Sequence, residues 1–195
     1  MGTINHLKKQ HHMDIHLIKT TRLHLRPIEP NDTIALYKYR SDSFTNKYQG
    51  WVPKTKDEVK KFIAKVSPAI NIPGTWFQFI ILLNDSNTVI GDIGIHFSDT
   101  DNSQVEIGCT LDKSFQGNGY ATEALKQLIA FLFNDLNKDK IITSIDPRNI
   151  KSINLVEKTG FKKEALYEKS LLINGEWVDD LIFAILRTNQ IKSNE

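Results

Sequence analysis

Along the 195-residue chain the spacing of apolar positions changes several times, and each change marks an element. Arg22-Leu23-His24-Leu25-Arg26-Pro27-Ile28 alternates polar and apolar residues, the pattern of a half-buried strand. Pro30-Asn31-Asp32 stops that strand and starts a helix over residues 32–42. Val59, Phe62, Ile63 and Val66 then fall at i, i+3, i+4 and i+7, one apolar stripe of a second helix that Pro68 and Pro73-Gly74 bring to an end. Three strands follow, Trp76–Leu83, Val89–Phe97 and Gln104–Leu111, with Asn84-Asp85-Ser86-Asn87 and Asp99-Thr100-Asp101-Asn102 as the turns. Connections this short predict an antiparallel meander.

After a loop bearing two glycines, Ala121, Leu125, Leu128 and Leu132, with Ile129 beside them, mark the buried face of the strongest helix in the chain. Lys140–Ile145 reads as a strand, and the helical crossover before it predicts that it runs parallel to the third strand of the meander. Asp146-Pro147 breaks it, a short helix over 150–158 is capped by Gly160, and a hairpin closes the chain. Its strands are 165–173 and 177–186, turned by Asn174-Gly175. The order is one strand, two helices, three strands, helix, strand, helix, two strands. It predicts an α/β (α+β) fold in a single domain over residues 13–190, with a mixed, mainly antiparallel sheet flanked by helices. No repeat or linker divides it.

Composition narrows the function classes. Hydrophobic residues make up 40% and charged residues 25%, ordinary for a soluble globular domain. A formal net charge of +2 gives no electrostatic footprint for nucleic acid. Cys109 stands alone, so neither an intrachain disulfide nor a multi-cysteine metal site is available, which suits a cytoplasmic location. No metal is expected, since His24 and His96 have no ligand spacing around them. The longest apolar run, Trp76 to Leu83 interrupted by Gln78, is strand-sized, so no membrane span is expected. Residues 1–12, with two lysines and three histidines, lack the apolar core of a signal peptide and read as a disordered extension, with Met13 an alternative start.

The chemistry centres on Gln116-Gly117-Asn118-Gly119-Tyr120-Ala121, between a strand and the long helix. The first amides of a helix lack intrahelical acceptors and carry partial positive charge. Glycines at 117 and 119 let the backbone approach an anion closely, and a pyrophosphate fits such a cradle. Alone, the loop is also compatible with a turn that only starts a helix. It is neither a Walker loop nor a dinucleotide fingerprint, because no Gly-Lys-Ser/Thr and no third glycine follow.

Loop and element order together resemble the GNAT family of N-acetyltransferases, whose acetyl-CoA loop reads Gln/Arg-x-x-Gly-x-Gly/Ala. Gln116, Gly119 and Ala121 fill those places. The continuation to Leu125 and the segment Asn149-x-x-Ser152-Ile153-Asn154-Leu155-x-Glu157-Lys158-x-Gly160-Phe161 are also typical of the family. Gly50-Trp51, Asn174-Gly175-Glu176-Trp177 and Asp179 are most similar to the RimJ/RimL branch, which acetylates ribosomal-protein N-termini. The resemblance spans residues 20–187. It implies a sheet splayed between the strands of Glu106 and Ile142, with acetyl-CoA in the splay. Leu111 and residues 116–121 would contact the cofactor, as would Asn149 and Asn154.

The same resemblance implies direct attack by an acceptor amine in a ternary complex, without metal or covalent intermediate. Glu106 is the candidate base; a solvent-facing strand carboxylate is the alternative. Gly108 would mark a strand bulge whose freed amides near 107–109 hold the thioester carbonyl, or else it only relieves crowding. Val156 stands where many members carry the tyrosine that protonates the leaving thiolate, so Ser152 or water would take that role, unless Ser152 simply packs beside the cofactor arm. Asn149 is also a helix cap by position, whereas Asn154 lies mid-helix, where asparagine is a poor former. Trp51 is the candidate for the acceptor pocket; Trp76 and Cys109 read as packed residues, and Glu123 as a partner of the helix dipole. The acceptor is a protein N-terminus or a small amine, and a non-catalytic acetyl-CoA-binding regulator is the rival class. The last hairpin could pair with a second copy to form a homodimer.

Overall fold

The computed structural model describes residues 17–188. The expected extension at residues 1–12 lies outside them. Eight strands form one sheet in the order β1-β2-β3-β4-β5-β6-β8-β7. The strands are β1 (Ile18–Lys19), β2 (Leu23–Pro27), β3 (Trp76–Leu83), β4 (Val89–Phe97), β5 (Gln104–Leu111), β6 (Lys140–Ile145), β7 (Lys162–Ile173) and β8 (Glu176–Leu186). Every neighbouring pair is antiparallel except β5 and β6, which are parallel as the crossover required. The two-residue β1 has no counterpart in the pattern, being too short for a period to show. β7 starts three residues earlier than its pattern suggested, through the polar run Lys162-Lys163-Glu164 on an exposed edge.

Among the described residues the four α-helices are α1 (Thr33–Arg40), α2 (Lys56–Lys65), α3 (Tyr120–Asn134) and α4 (Ile150–Lys158). A 3-10 turn over Pro30–Asp32 precedes α1. Thr55 caps α2 by accepting from the Glu58 N–H at 3.2 Å. Val66, assigned by periodicity to that helix, is extended and ends it. α4 closes with the Phe161 N–H on the Val156 carbonyl and the Gly160 N–H on the Glu157 carbonyl, the paired bonds of a Schellman motif.

Two cores follow from the two sheet faces. On one, Leu125, Leu128, Ile129 and Leu132 of α3 and Val156 of α4 pack against Phe79, Ile93, Ile95 and Phe183. On the other, Leu36 and Tyr39 of α1 and Val59 and Ile63 of α2 cover Ile80 and Leu82. A buried polar cluster stitches α1 to the sheet. Asp92 accepts from Tyr39 Oη at 2.8 Å, from Arg40 and from the Gln78 side-chain amide. The buried Arg40 thus has its charge matched. From the end of α1, Asn46 folds the next loop back, its amide donating to the carbonyls of Tyr39 at 2.6 Å and Asp42 at 3.0 Å.

Candidate active site

The parallel ladder between β5 and β6 is short. Gln104, Val105 and Glu106 pair with Lys140, Ile141 and Ile142, and there the pairing stops. β5 stays on β4 to Leu111, while β6 stays on β8 to Ile145, so the two halves of the sheet part just beyond Glu106. The register between β4 and β5 runs unbroken from Gly91↔Leu111 to Phe97↔Val105. Gly108 is therefore not a bulge, contrary to expectation. The splay itself frees the backbone. The Asp112 N–H donates to the Ile90 carbonyl at 2.8 Å, so the antiparallel alternation turns the polar backbone groups of Cys109 and Leu111 away from β4, into the gap.

A cavity of about 800 Å³ opens along the far end of β5, bounded by the loop over 44–49, the glycine loop and α4. A notch of about 80 Å³ continues it between the parted strands, where Gly108, Ser144, Ser152 and Val156 meet. Of the residues singled out in sequence, Leu111, Gln116, Gly117, Gly119, Tyr120, Ala121, Asn149, Ser152 and Asn154 all border the large cavity. Glu106 lines neither space; it is the last paired residue of the parallel ladder, directly before Ile107 and Gly108, which line the notch.

The glycine loop is built as a cradle. Gly117 and Gly119 have φ of +81° and +80°, a conformation open to glycine at little cost. Gln116 points inward as a brace, its amide donating to the Leu111 carbonyl at 3.1 Å. Arg22, which the sequence did not single out, clamps the loop from the bend just before β2. It donates to the Asn118 carbonyl at 3.1 Å and through Nε to Glu123 at 2.7 Å, and its guanidinium lies 4.5 Å from the Tyr120 ring centre. Glu123 also accepts from Thr20 Oγ1 at 2.6 Å and the Arg22 N–H at 2.9 Å. Burial pushes its carboxyl up, but these hydrogen bonds outweigh burial and bring it below its ordinary value. Its role is to anchor the start of α3 to the sheet.

Asn149 is a helix cap, accepting from the Ser152 N–H at 3.3 Å while still bordering the cavity. Val156 is buried against the notch and offers no proton there. Cys109 also faces the gap, but burial first, then Asp92, push its thiol up to about 12 against the pull of Arg40, which keeps it in the unreactive form. Thr110, only 6% exposed, has a buried hydroxyl with no partner among the described residues, a group that a ligand in the cavity can satisfy. Glu106 is half-buried. Burial raises its carboxyl above the usual value, the nearby Asp180 adds to this, and His96 opposes it.

Trp51 lies elsewhere. It stacks on Phe62 with ring centres 4.5 Å apart, within the α1–α2 cluster, and it does not border the cavity. The loop that does form that wall includes Tyr48 and Gln49, which carry no signal in the sequence beyond following a helix.

A splayed parallel pair with a helix-end cradle at its mouth points to one family. The model of the GNAT acetyltransferase domain matches residues 22–162. The chain belongs to the GNAT family. It is 32% identical over 171 residues to the uncharacterized N-acetyltransferase p20 of Bacillus licheniformis, covering 86% of this chain and 94% of that protein. Among solved structures it is similar to RimL, a ribosomal L7/L12 alpha-N-protein acetyltransferase in complex with coenzyme A. There the TM-score is 0.73 at 21% identity, over 87% of this chain and 97% of the other. Spermidine N-acetyltransferase from Vibrio cholerae, in complex with CoA and spermine, gives a TM-score of 0.76 at 20% identity over 88% and 99% of the two chains. These two likenesses concern the fold. The GNAT chain described here is thus an N-acetyltransferase by family.

Proposed function

We propose that the protein transfers acetyl from acetyl-CoA to a primary amine by direct attack in a ternary complex. The observation that carries this reading is the path from the cradle at residues 116–121 to the notch, which share Cys109, Asn149 and Ser152 in their walls, the notch starting on β5 at Ile107, the residue after Glu106. A pyrophosphate fits the free amides at the start of α3, with Lys113, Lys151 and Lys158 around the cavity to balance its charge. The unpaired N–H groups of Cys109 and Leu111 suit an amide-bearing arm. The notch then holds the reacting carbon, and the N–H of Cys109 or its neighbours stabilises the carbonyl oxygen as negative charge grows.

Glu106 takes the proton that the acceptor nitrogen must lose. A carboxyl whose burial lifts its pKa is better matched to that task than a fully solvated one. The N–C bond forms as the C–S bond breaks, and the departing thiolate takes a proton from Ser152 or water. Ser152 borders both the cavity and the notch.

Incubating the protein with acetyl-CoA and a panel of peptides and small amines, while following free CoA thiol and acetylated product, tests the reading. Acetylated amine is expected. Tight acetyl-CoA binding with no turnover on any acceptor would favour the rival, a regulator that binds the thioester without using it.

A further inference from the structure

The register of the sheet places a row of side chains on one face. Trp76, His96, Glu106, Ile142 and Ala184 are successive partners across five strands. The next row holds Gln78, Gly94 and Gly108, then, across the gap, Ser144 and Ile182. α1 and α2 cover this face only over β2 to β4. Further along it Ile142, Ile182 and Ala184 are half-buried, while Ile141, Phe183 and Ile185 on the opposite face are buried. The result is a shallow trough leading to the notch.

Gly108 is its floor, with no atom within 4 Å of the place a Cβ would occupy. Trp76, 46% exposed, stacks on His96 at one side, the ring centres 5.0 Å apart. At the other side Ser144 Oγ donates to Asp180 Oδ1 at 2.6 Å. That bond fixes the carboxylate and leaves its Oδ2 with no partner among the described residues. No lysine or arginine among those residues pairs with Asp180, and its charge reaches Glu106. The two mouths of the splay therefore differ in sign. Lysines border the cavity on the cofactor side, and two carboxylates with one imidazole border the trough.

We propose that Asp180 is a specificity-determining residue of the acceptor site, receiving a primary ammonium on its free Oδ2 as the acceptor enters over Gly108. Glu106 then takes one proton and the neutral nitrogen attacks; its second proton leaves as the C–S bond breaks and passes through Ser152 or water to the departing thiolate. The proposal rests on the acetyl-transfer reading above and adds to it the chemical class of the acceptor: an amine that arrives as a cation. Ser144 positions the carboxylate.

The test compares wild type, Asp180→Asn, Asp180→Glu and Ser144→Ala. Three probes are used: an alanyl tripeptide with a free N-terminus, spermidine, and methoxyamine, which is neutral at neutral pH. Losing one charge-assisted hydrogen bond should raise the KM for the cationic probe that turns over by roughly tenfold in Asp180→Asn. The KM for acetyl-CoA should stay close to wild type, and the acid limb of kcat should move down, because Asp180 helps to raise the Glu106 carboxyl. The KM for methoxyamine should not change, Asp180→Glu should recover part of the loss, and Ser144→Ala should lose less. An unchanged KM for the cationic probe, or an equal loss with methoxyamine, overturns the proposal. Calorimetric titration of spermidine and of the tripeptide into the CoA-loaded protein decides the matter even without turnover. Affinities equal in wild type and Asp180→Asn overturn the role of Asp180, whereas absent turnover with Asp180-dependent binding overturns only the acetyl-transfer reading.

Discussion

Replacing Glu106 with Gln separates chemistry from stability, because the two should move in opposite directions. Gln keeps the shape and removes the base. General-base catalysis contributes about 10²–10⁴-fold, so kcat should fall by that factor, equivalent to roughly 3–5 kcal/mol of barrier. In wild type the carboxyl is raised by burial, with Asp180 adding and His96 subtracting. The acid limb of kcat/KM should therefore have its midpoint above the ordinary 4.5 of a glutamate. The sign for stability is the reverse of a salt-bridged acid. A carboxyl whose folded pKa exceeds its unfolded one stabilises the fold below the unfolded value and loses that contribution as pH rises through the folded value. At neutral pH the wild type thus carries a cost of about 1.4 kcal/mol for each unit of the difference. Glu106→Gln removes it. The melting temperature at neutral pH should be equal to or above that of wild type, and the gap should close on acidification below the unfolded pKa. Steady-state rates and thermal melts on the same samples, from roughly pH 3.5 to 9 so that the window passes below the unfolded carboxyl pKa, check both halves. Full activity in the variant refutes the base assignment, and a lower melting temperature at neutral pH refutes the burial argument.

Gly119→Ala should cost about 1–2 kcal/mol of stability from its φ of +80°, since the nearest atom to a new Cβ, Arg22 Nη2 at 3.5 Å, is in ordinary contact; the KM for acetyl-CoA should rise with it. Glu123→Ala should lower stability by roughly 1–2 kcal/mol, the partial exposure of Arg22 (46%) limiting the loss, and should weaken acetyl-CoA binding without touching the acceptor KM. Asp92→Asn should destabilise by about 3–5 kcal/mol in chemical denaturation, because it leaves the buried Arg40 charge uncompensated. Trp51→Ala should cost about 2–3 kcal/mol through its lost stack on Phe62 and leave the acceptor KM unchanged; a KM effect without a stability loss would return Trp51 to the acceptor site.

Elements with a sustained period were legible in the chain. β3, β4 and β5 have apolar runs bounded by Asn- and Asp-rich turns, the final hairpin is marked by Asn174-Gly175, and α3 shows its stripe over about three turns. The crossover rule gave the direction of β6 before any geometry. The cradle was visible because glycines at 117 and 119, just before a helical stripe, admit the positive φ that both adopt. What failed was whatever depends on contacts distant in sequence. Arg22 and Glu123 are 101 residues apart, and neither is unusual in its own segment. Asp180 and Ser144 are joined by strand order, which places β8 between β6 and β7. Trp51 looked like a pocket residue because it follows a loop, but α2 brings Phe62 beneath it. Gly108 suggested a bulge because glycine in a strand often signals one, whereas here its lack of a side chain clears a trough.

The splay is the one place in the sheet where the local rules disagree with the structure. β5 and β6 begin a ladder at Gln104 and Lys140 and abandon it after Glu106 and Ile142, although both strands continue. Leaving a buried backbone donor or acceptor unpaired costs about 1–3 kcal/mol, so zipping the two strands together would be favourable in isolation. Side chains prevent it. Leu125 of α3 and Leu155 and Val156 of α4 stand at the notch between the strands, held by their own core contacts. Val156 is therefore better understood as part of the wedge than as a failed acid. A tyrosine there would bring a hydroxyl to the thiolate, but it would also have to fit a position that is only 6% exposed and already packed. On the acetyl-transfer reading, the free backbone groups of Cys109 and the Leu111 N–H become assets when an extended amide-bearing chain lies beside β5 as a substitute strand, the Leu111 carbonyl being already taken by Gln116. Packing keeps the gap open, and on the proposed function the cosubstrate would complete it, returning as binding the energy withheld from the sheet.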